Sequence, residues 1–383
     1  MQNRFELYCS QFRAVALMGS RQTGKTTLAR TTFPKKPYIN FENLDNQILA
    51  REDTKNFLES YKETGAIFDE VQNVPEVFNY LQQILDEESE AGKYILTGSS
   101  NFLLNEKISQ SLAGRVGFLH LYPFSAKEIT DFSGSDISIE ELIFKGGYPE
   151  IWDKKINPSF YHNSYVQSFI EKDIRQLINI NNLLTFQQFV KLTATRASQE
   201  LNHSNIASDL GIDYKTVQSW LGLLQNVGII FLIPPYYNNY GKRVVKRPKL
   251  YFNDTGLLCN LLGISDETQL ETHPLKGEIF ENFVFAEILK YNDMKTIPAK
   301  IFYWRTISGV EIDLILEENF TNTGIEIKSG KTYHQMWWKN ILKWREYSPQ
   351  NKSGNVIYAG NDEVNFKDDR KLISAKNLFE KFS

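Results

Sequence analysis

The chain contains the stretch Gly19-Ser20-Arg21-Gln22-Thr23-Gly24-Lys25-Thr26, which matches the phosphate-binding pattern G-x-x-x-x-G-K-[ST] at every fixed position. The apolar residues 14–18 before it predict a short buried strand, and residues 27–30 after it can begin a helix. In such a strand–loop–helix arrangement, backbone N–H groups and the amino end of the helix face the phosphates of a nucleotide. A glycine turn that binds nothing is the alternative, and the flanking strand and helix disfavour it. The sequence therefore predicts a nucleoside triphosphate site.

Two side chains at the end of this loop have the chemistry that ATP hydrolysis needs. The ammonium of Lys25 would neutralise the β- and γ-phosphates, and the hydroxyl of Thr26 would bind Mg²⁺. We therefore predict ATP and Mg²⁺ as ligands of the first part of the chain. The residues predicted to line the nucleotide are Gly19, Ser20, Arg21, Gln22, Thr23, Gly24, Lys25, Thr26 and Thr27.

The bulk composition excludes several classes of protein. The 383 residues are enough for two or three domains, and a formal net charge of −3 gives no overall attraction to nucleic acid, so any DNA-binding face must be local. The two cysteines, Cys9 and Cys259, lack the spacing of a zinc site or a disulfide scaffold. The longest apolar run, residues 227–233, is too short to cross a bilayer, and the amino terminus lacks the apolar segment of a signal peptide. We expect a cytoplasmic protein with no membrane partner.

A second motif of the nucleotide site lies at residues 65–70, where an apolar run ends in two acids. The run predicts a buried strand with Asp69 at its carboxyl end, beside the Mg²⁺, and with Glu70 able to orient and deprotonate the attacking water. Acids also end strands simply because they are well solvated. Downstream of a phosphate-binding loop, the catalytic interpretation is favoured.

A third polar position follows the predicted strand at residues 93–98. Ser100, or Ser99, is the candidate for a side chain that senses the γ-phosphate. A serine that caps a helix starting at Asn101 explains the same residues equally well. Both interpretations remain open.

Several stretches together resemble a prokaryotic branch of the AAA+ ATPases, which implies a parallel sheet with a helical lid. In that family an arginine matching Arg115 acts near the phosphates, in its own subunit or in a neighbouring one. Pairing of Arg115 with a surface acid is the alternative, and neither is preferred here. The stretches that carry the resemblance are residues 19–28, 68–72, 96–100, 111–116, 121–125 and 146–150.

The middle of the chain predicts helices followed by a winged helix-turn-helix. Helices are expected at 160–180 and 185–197, a helix-turn-helix from Ser204, and a hairpin of strands 229–234 and 249–252 as the wing. A domain-packing role without DNA contact is the alternative. The residues expected to face a duplex are Tyr214, Lys215, Gln218 and Ser219 in the major groove, and Lys242, Arg243, Lys246, Arg247 and Lys249 on its phosphates.

The last part of the chain has an acidic pattern on predicted strands. A long helix at 276–291 precedes strands at 301–304, 310–316 and 323–328. Positions two apart share one face of a strand, so Glu326 and Lys328 project together while their neighbours face the core, and Asp313 on the adjacent strand can join them. Asp313 and Glu326 would then hold a second Mg²⁺, with Glu281, or alternatively Glu278, as a further acid from the helix. Lys328 would activate a water for phosphodiester hydrolysis. Alternating charge on an edge strand produces the same pattern without activity.

This pattern resembles the PD-(D/E)XK restriction-endonuclease-like fold, and residues 249–257 and 277–282 extend the resemblance to the whole chain. It implies an α/β multidomain protein: a P-loop AAA+ core (1–122), a helical lid (123–182), a winged helix (183–265) and a nuclease-like domain (266–383). Two functions follow. One is an ATPase that acts on double-stranded DNA and cuts it. The other is a nucleotide-controlled regulatory or assembly ATPase whose last domain is a non-catalytic scaffold. Assembly as a homo-oligomer is compatible with either function.

Overall fold

A computed structural model describes residues 1–87, 90–98, 112, 114–169, 183–236 and 247–382. The chain forms two compact units. The first comprises Met1–Pro123 with Asn226–Ile229, and the second comprises Phe124–Gln225 with Ile230–Ser383.

The first unit contains a five-stranded parallel sheet with the strand order β2-β3-β4-β1-β5. Because β4 pairs with both β1 and β3, its carboxyl end lies between the phosphate-binding loop and the end of the acidic strand. The strands are β1 Ala14–Met18, β2 Tyr38–Asn40, β3 Ala66–Asp69, β4 Tyr94–Gly98 and β5 Val116–His120. The described helices are α1 Gln2–Gln11, α2 Lys25–Thr32, α3 Leu44–Glu52, α4 Thr54–Glu59 and α5 Glu76–Glu87.

Apolar residues cover both faces of this sheet. Ile67 and Phe68, neighbours on β3, are both fully buried but belong to different core clusters, one on each side. Phe68 stacks between Phe41 and Tyr94 at centroid distances of 5.8 and 6.2 Å. A parallel sheet that is buried on both faces offers polar groups mainly at its strand ends, which places the candidate site there.

The second unit begins with a series of helices and a two-stranded hairpin. Gly211 ends the helix His203–Leu210 in the left-handed conformation, with φ of 64°, as the predicted helix-turn-helix requires. Residues 170–182 and 237–246, which include Lys242, Arg243 and Lys246, lie outside the described residues. The helices are α6 Ala126–Ser133, α7 Ile139–Lys145, α8 Pro149–Asp153, α9 Pro158–Phe169, α10 Leu183–Ala194, α11 His203–Leu210 and α12 Tyr214–Asn226, followed by antiparallel β6 Ile230–Ile233 and β7 Lys249–Phe252.

The second unit also contains a six-stranded mixed sheet, in the order β12-β13-β11-β10-β9-β8. Gly324 on β10 faces Trp344, and an added Cβ would lie 2.7 Å from the indole ring, so only glycine fits there. The strands are β8 Lys300–Arg305, β9 Glu311–Glu318, β10 Thr321–Lys328, β11 Asn351–Tyr358, β12 Val364–Asn365 and β13 Arg370–Ser374. The remaining helices are α13 Thr255–Leu261, α14 Glu267–Thr272, α15 Lys276–Asn292, α16 Lys339–Arg345 and α17 Leu378–Phe382.

The segments expected to be a winged helix and a nuclease-like domain pack together within this unit. The buried amide of Asn282 on α15 accepts a hydrogen bond from the Phe252 N–H (2.7 Å) and donates one to the Phe252 carbonyl (2.8 Å). A buried side-chain amide that satisfies both backbone groups of a strand residue fixes the strand to the helix. Strand β7 is therefore positioned to contribute side chains to the last part of the chain.

Candidate nucleotide site and a carboxylate–lysine cleft

The phosphate-binding loop has the backbone geometry that its glycines predict. Gly19 has φ of 152° and Gly24 has φ of 92°, and α2 begins directly after Gly24. A Cβ on Gly19 would lie 2.1 Å from the carbonyl oxygen of Leu121, so a larger residue is excluded. Gln22, at the tip of the loop, is also left-handed, with φ of 61°. The loop ends at a helix amino terminus, which is the anion-binding arrangement.

Polar side chains of the loop are bonded to its own carbonyl groups. The buried Lys25 ammonium donates to the carbonyl oxygens of Gly19 (2.9 Å) and Ser20 (2.6 Å), and the Thr23 hydroxyl donates to Ser20 (2.9 Å). The Ser20 hydroxyl donates to the carbonyl of Gly228, 2.9 Å away. The charge of Lys25 is thus held inside the loop.

The other predicted loop residues are less buried. Arg21 lies 3.9 Å from the Glu42 carboxylate, while Gln22 and Thr27 are exposed.

Asp69 at the end of β3 is the acceptor for three hydroxyl groups from three different elements. Thr26 donates over 2.9 Å, Tyr38 donates over 2.7 Å, and Thr97 donates as well. Burial and then the bond to Asp69 raise the pKa of Tyr38 above its usual range, so the phenol stays a donor. Asp69 is 4 % exposed, and its carboxylate with the Thr26 hydroxyl offers the hard oxygen atoms that Mg²⁺ prefers. These residues fit a magnesium-bound nucleotide.

Glu70 has an uncommon backbone conformation for its residue type. Its φ of 52° and ψ of 46° are left-handed, which costs a non-glycine residue of the order of 1 kcal/mol. The side-chain amide of Gln72, two residues later, donates to the Glu70 carboxylate. Strain of this kind at a predicted general base is what pre-organised active sites show.

His120 at the end of β5 is a half-buried titratable group beside the loop. It pairs with Met18 across the sheet, stacks against Tyr122 at a centroid distance of 4.3 Å, and its Nε2 atom has no hydrogen-bond partner among the described residues. Burial, and then the charge of Lys25, lower the pKa of His120 to about 4. The ring is therefore neutral at physiological pH.

The arginine predicted for the nucleotide site has a different partner. Arg115 pairs with Asp86, with 3.0 Å between Nη2 and Oδ2, which is the surface-acid alternative, and a role in a neighbouring subunit stays a prediction. Ser99 and Ser100 lie outside the described residues. The polar side chain that β4 does contribute is Thr97.

The second unit has an open cleft of about 650 Å³ whose lining is strongly charged. Acidic side chains outnumber basic ones in it, so a bare cleft would repel a phosphate backbone. The charged residues of the lining are Glu200, Glu278, Glu281, Glu311 and Asp313, with Lys249, Arg305 and Lys328.

The predicted trio of Asp313, Glu326 and Lys328 comes together at this cleft. The Lys328 ammonium lies 2.6 Å from Glu326 and 3.7 Å from Asp313, and Asp313 also accepts the N–H of Ile327 over 2.8 Å. Burial, and then the charge of Asp313, raise the pKa of Glu326 to about 8. Glu326 therefore takes up a proton more readily than an isolated glutamate does.

Lys249 has a different environment from the one predicted for it. Its ammonium is 2.6 Å from Glu311, 3.0 Å from Glu281 and 3.9 Å from Asp313, and the residue is only 2 % exposed. Burial opposes the charge, but the carboxylates, Glu281 first, outweigh it and hold the pKa of Lys249 well above its usual value. The prediction that Lys249 contacts DNA phosphates is therefore wrong, because it is buried among acids.

Lys249 and Lys328 also occupy the acids that were predicted to bind a second Mg²⁺. Among the residues that the structure describes, no group of three or more His, Cys, Asp or Glu side chains is arranged to hold a metal ion. Glu281 is bonded to Lys249 and to the Tyr251 hydroxyl (2.7 Å), and Glu326 to Lys328. The arrangement does not support Mg²⁺ on Asp313, Glu326 and Glu281.

Some site residues were missed by the sequence interpretation. Tyr38 and Thr97 complete the surroundings of Asp69, and their positions near strand ends were an available signal. Lys249 is the only charged residue of β7, and a lone lysine in an apolar strand indicates a buried counter-ion.

None of the described helices is both long enough and apolar enough to cross a membrane.

Family comparisons match three consecutive parts of the chain. A model described as an AAA domain matches residues 11–130. Two models described as domains of unknown function, DUF8612 and DUF4143, match residues 137–268 and 276–378. The chain therefore carries an AAA domain, which confirms the family predicted for the P-loop region.

Comparisons with whole proteins extend beyond this domain. The solved structure of the Walker-type ATPase paby2304 of Pyrococcus abyssi is 15 % identical, with 68 % of this chain and 94 % of that chain covered and a TM-score of 0.46. The uncharacterized proteins Rv2008c of Mycobacterium tuberculosis and Mb2031c of Mycobacterium bovis are each 30 % identical over 321 residues, covering 83 % of this chain and 70 % of theirs. The chain therefore belongs to the same family as these mycobacterial proteins.

Proposed function

We propose that this protein binds ATP with Mg²⁺ in its first unit and hydrolyses it. The observation that carries the proposal is the convergence of Lys25, Thr26 and Asp69, with a 2.9 Å hydrogen bond between Thr26 and Asp69. Lys25 supplies the positive charge for the phosphates, and the Thr26 hydroxyl and Asp69 carboxylate supply the oxygens around the metal of the substrate. Glu70, at the end of the same strand, is the general base for the attacking water.

Phosphate release from ATP, measured with Mg²⁺ and with EDTA, tests this proposal. Wild type should release phosphate only with Mg²⁺, and Asp69→Asn should reduce the rate by roughly a hundredfold, because positioned charge is the main source of catalysis in phosphoryl transfer. Asp45→Asn, an exposed acid of the same unit, is the matched control. Equal rates in wild type and Asp69→Asn would contradict the assignment.

Binding of double-stranded DNA is a second candidate function, favoured by one observation. Tyr214, Lys215, Gln218 and Ser219 on α12 are all exposed, while Val217 between them is fully buried. This is the pattern of a helix that packs by one face and presents polar groups on the other. The exposed face suits a major groove.

Fluorescence anisotropy with a labelled duplex tests the DNA proposal. Affinity should fall steeply with salt, and Lys215→Ala should weaken binding, because phosphate contacts dominate affinity. Lys191→Ala, an exposed lysine on α10, should bind like wild type. Absence of binding to any duplex at low salt would reject the proposal.

The charged cleft in the second unit bears on which of the two functions inferred from the sequence the ATPase has. Cutting of DNA by Asp313, Glu326 and Lys328 needs a metal, and the two carboxylates are already paired with Lys328 and Lys249. That pairing supports the other function inferred from the sequence, a regulatory or assembly ATPase whose last part is a non-catalytic scaffold. A cleavage assay on supercoiled, linear and single-stranded DNA with ATP and Mn²⁺ separates the two, since cutting that is lost in Asp313→Ala would establish a nuclease.

A further inference from the structure

Lys249 is a buried cation at the meeting point of three carboxylates. Glu281 comes from α15, and Glu311 and Asp313 lie two residues apart on β9, so both point to the same face of that strand. The ammonium lies within 3.0 Å of Glu281 and Glu311, and 3.9 Å from Asp313. Three acids from two elements thus converge on one nitrogen atom.

The neighbouring acids are neutralised in the same way. Arg305 lies 3.2 Å from Glu200 and 3.4 Å from Glu311, and Lys328 lies 2.6 Å from Glu326. Each of the acids around Lys249 therefore has a protein cation within ion-pair distance. Buried carboxylates are stable only when such partners are present.

The position of the ammonium excludes a divalent cation from the same point. Calcium and magnesium ions bind carboxylate oxygens at about 2.0 to 2.6 Å. The Lys249 ammonium, hydrogen-bonded to Glu281 and 2.6 Å from Glu311, takes up that space. It donates to Glu281, lies 2.6 Å from Glu311, and keeps Asp313 within ion-pair distance. The acids and the lysine form a complementary set without a metal.

We propose that Lys249 is the resident cation of this carboxylate cluster, so that the cleft works without a bound divalent metal. Removal of Lys249 leaves Glu281 without its cation and leaves Glu311 and Asp313 with only Arg305 and Lys328, so the group becomes more acidic and attracts a divalent cation. The cluster is also shared between two parts of the chain: Lys249 lies in the part matched by the second family model and the three acids lie in the part matched by the third. Those two parts form one functional unit.

Binding of Mn²⁺ to the full-length protein without nucleotide tests this proposal. Free Mn²⁺ is followed by its electron paramagnetic resonance signal while protein is added. Wild type should leave the signal unchanged at micromolar concentrations, while Lys249→Met and Lys249→Gln should each bind about one Mn²⁺ per chain, at least roughly tenfold more tightly than wild type, because added negative charge raises divalent-cation affinity. The glutamine variant keeps hydrogen-bond donors and guards against failure of the methionine variant to fold.

Two further variants make the outcome specific. Asp313→Asn, added to Lys249→Gln, should abolish the new binding, and Lys300→Met, which removes a lysine that is mostly exposed on β8, should behave like wild type. Mn²⁺ binding by wild type that is lost in Asp313→Asn would overturn the proposal. Absence of binding in both Lys249 variants would overturn it equally. The result is independent of the proposed ATP hydrolysis, because no nucleotide is present.

Discussion

The Tyr38 hydroxyl donates a 2.7 Å hydrogen bond to the Asp69 carboxylate. Tyr38 lies on β2 and Asp69 at the end of β3, and these strands are paired in parallel. Together with Thr26 and Thr97, the phenol holds the carboxylate beside the phosphate-binding loop. An edge strand that carries no recognised motif thus contributes to the nucleotide site.

Replacement of Tyr38 by phenylalanine tests this contribution. The variant loses a donor to a buried carboxylate, a bond worth about 1.5 kcal/mol or more. We expect kcat for ATP hydrolysis to fall by roughly threefold to tenfold, with a smaller change in ATP affinity. Tyr80→Phe, at an exposed position of α5, is the control. Equal kcat values for wild type and Tyr38→Phe would show that the phenol does not position Asp69.

Lys25→Ala should remove nucleotide binding. The substitution deletes the ammonium that the loop carbonyls hold, and the charge-assisted contact that it would make to the phosphates has no replacement. Titration with a fluorescent ATP analogue should show affinity lowered by roughly a hundredfold. Lys62→Ala, which removes a half-buried lysine paired with Glu87, should bind like wild type. Unchanged affinity in Lys25→Ala would contradict the P-loop assignment.

Because of His120, we expect the folded protein to lose stability as the pH is lowered. Its pKa is about 4 in the folded protein and about 6.5 when unfolded, so below pH 6.5 the unfolded chain binds the extra proton. The free energy of unfolding should fall as pH drops from 6.5 to 4, by up to about 1.4 kcal/mol per pH unit. Above pH 6.5 this contribution is fully present.

Urea denaturation between pH 4.5 and 7 measures this dependence. His120→Asn, which cannot titrate in this range, should have a flatter profile than wild type. His334→Asn, at an exposed position, should keep the wild-type slope. Identical slopes for wild type and His120→Asn would mean that His120 does not control the pH dependence.

Lys249→Met should destabilise the second unit. Loss of one partner from a buried ion pair leaves the other charge uncompensated and costs about 3 to 5 kcal/mol. Lys300→Met, at a position where the side chain is 73 % exposed, should change stability by about 0.5 kcal/mol or less. Urea denaturation of both variants without metal is the measurement, and equal stabilities would show that Lys249 is not a required counter-ion.

Much of the nucleotide site was predictable because its motifs are local in sequence. Residues 19–26 indicate strand, loop and helix by their own spacing, and the apolar run before Asp69 indicates a buried strand. The roles of Tyr38 and Thr97 were not predictable in this way. They depend on the strand order β2-β3-β4, which the strand patterns alone do not determine.

In the second unit, too, features that are local in sequence were predictable and long-range contacts were not. The shared face of Glu326 and Lys328 follows from strand periodicity, and the structure brings both to Asp313. The burial of Lys249 was missed because its partners lie more than thirty residues further along the chain, on another helix and strand. Lys249 was predicted to contact DNA because other basic residues lie near it in sequence. In the folded protein its neighbours are acids.

ATP hydrolysis by Glu70→Gln, measured beside ATP binding by the same variant, tests the central claim most directly. The substitution keeps the size of the side chain and removes the base. We predict binding equal to that of wild type and hydrolysis slower by roughly a hundredfold or more, with Glu59→Gln, an exposed glutamate on α4, as active as wild type. Hydrolysis by Glu70→Gln at the wild-type rate would contradict the account.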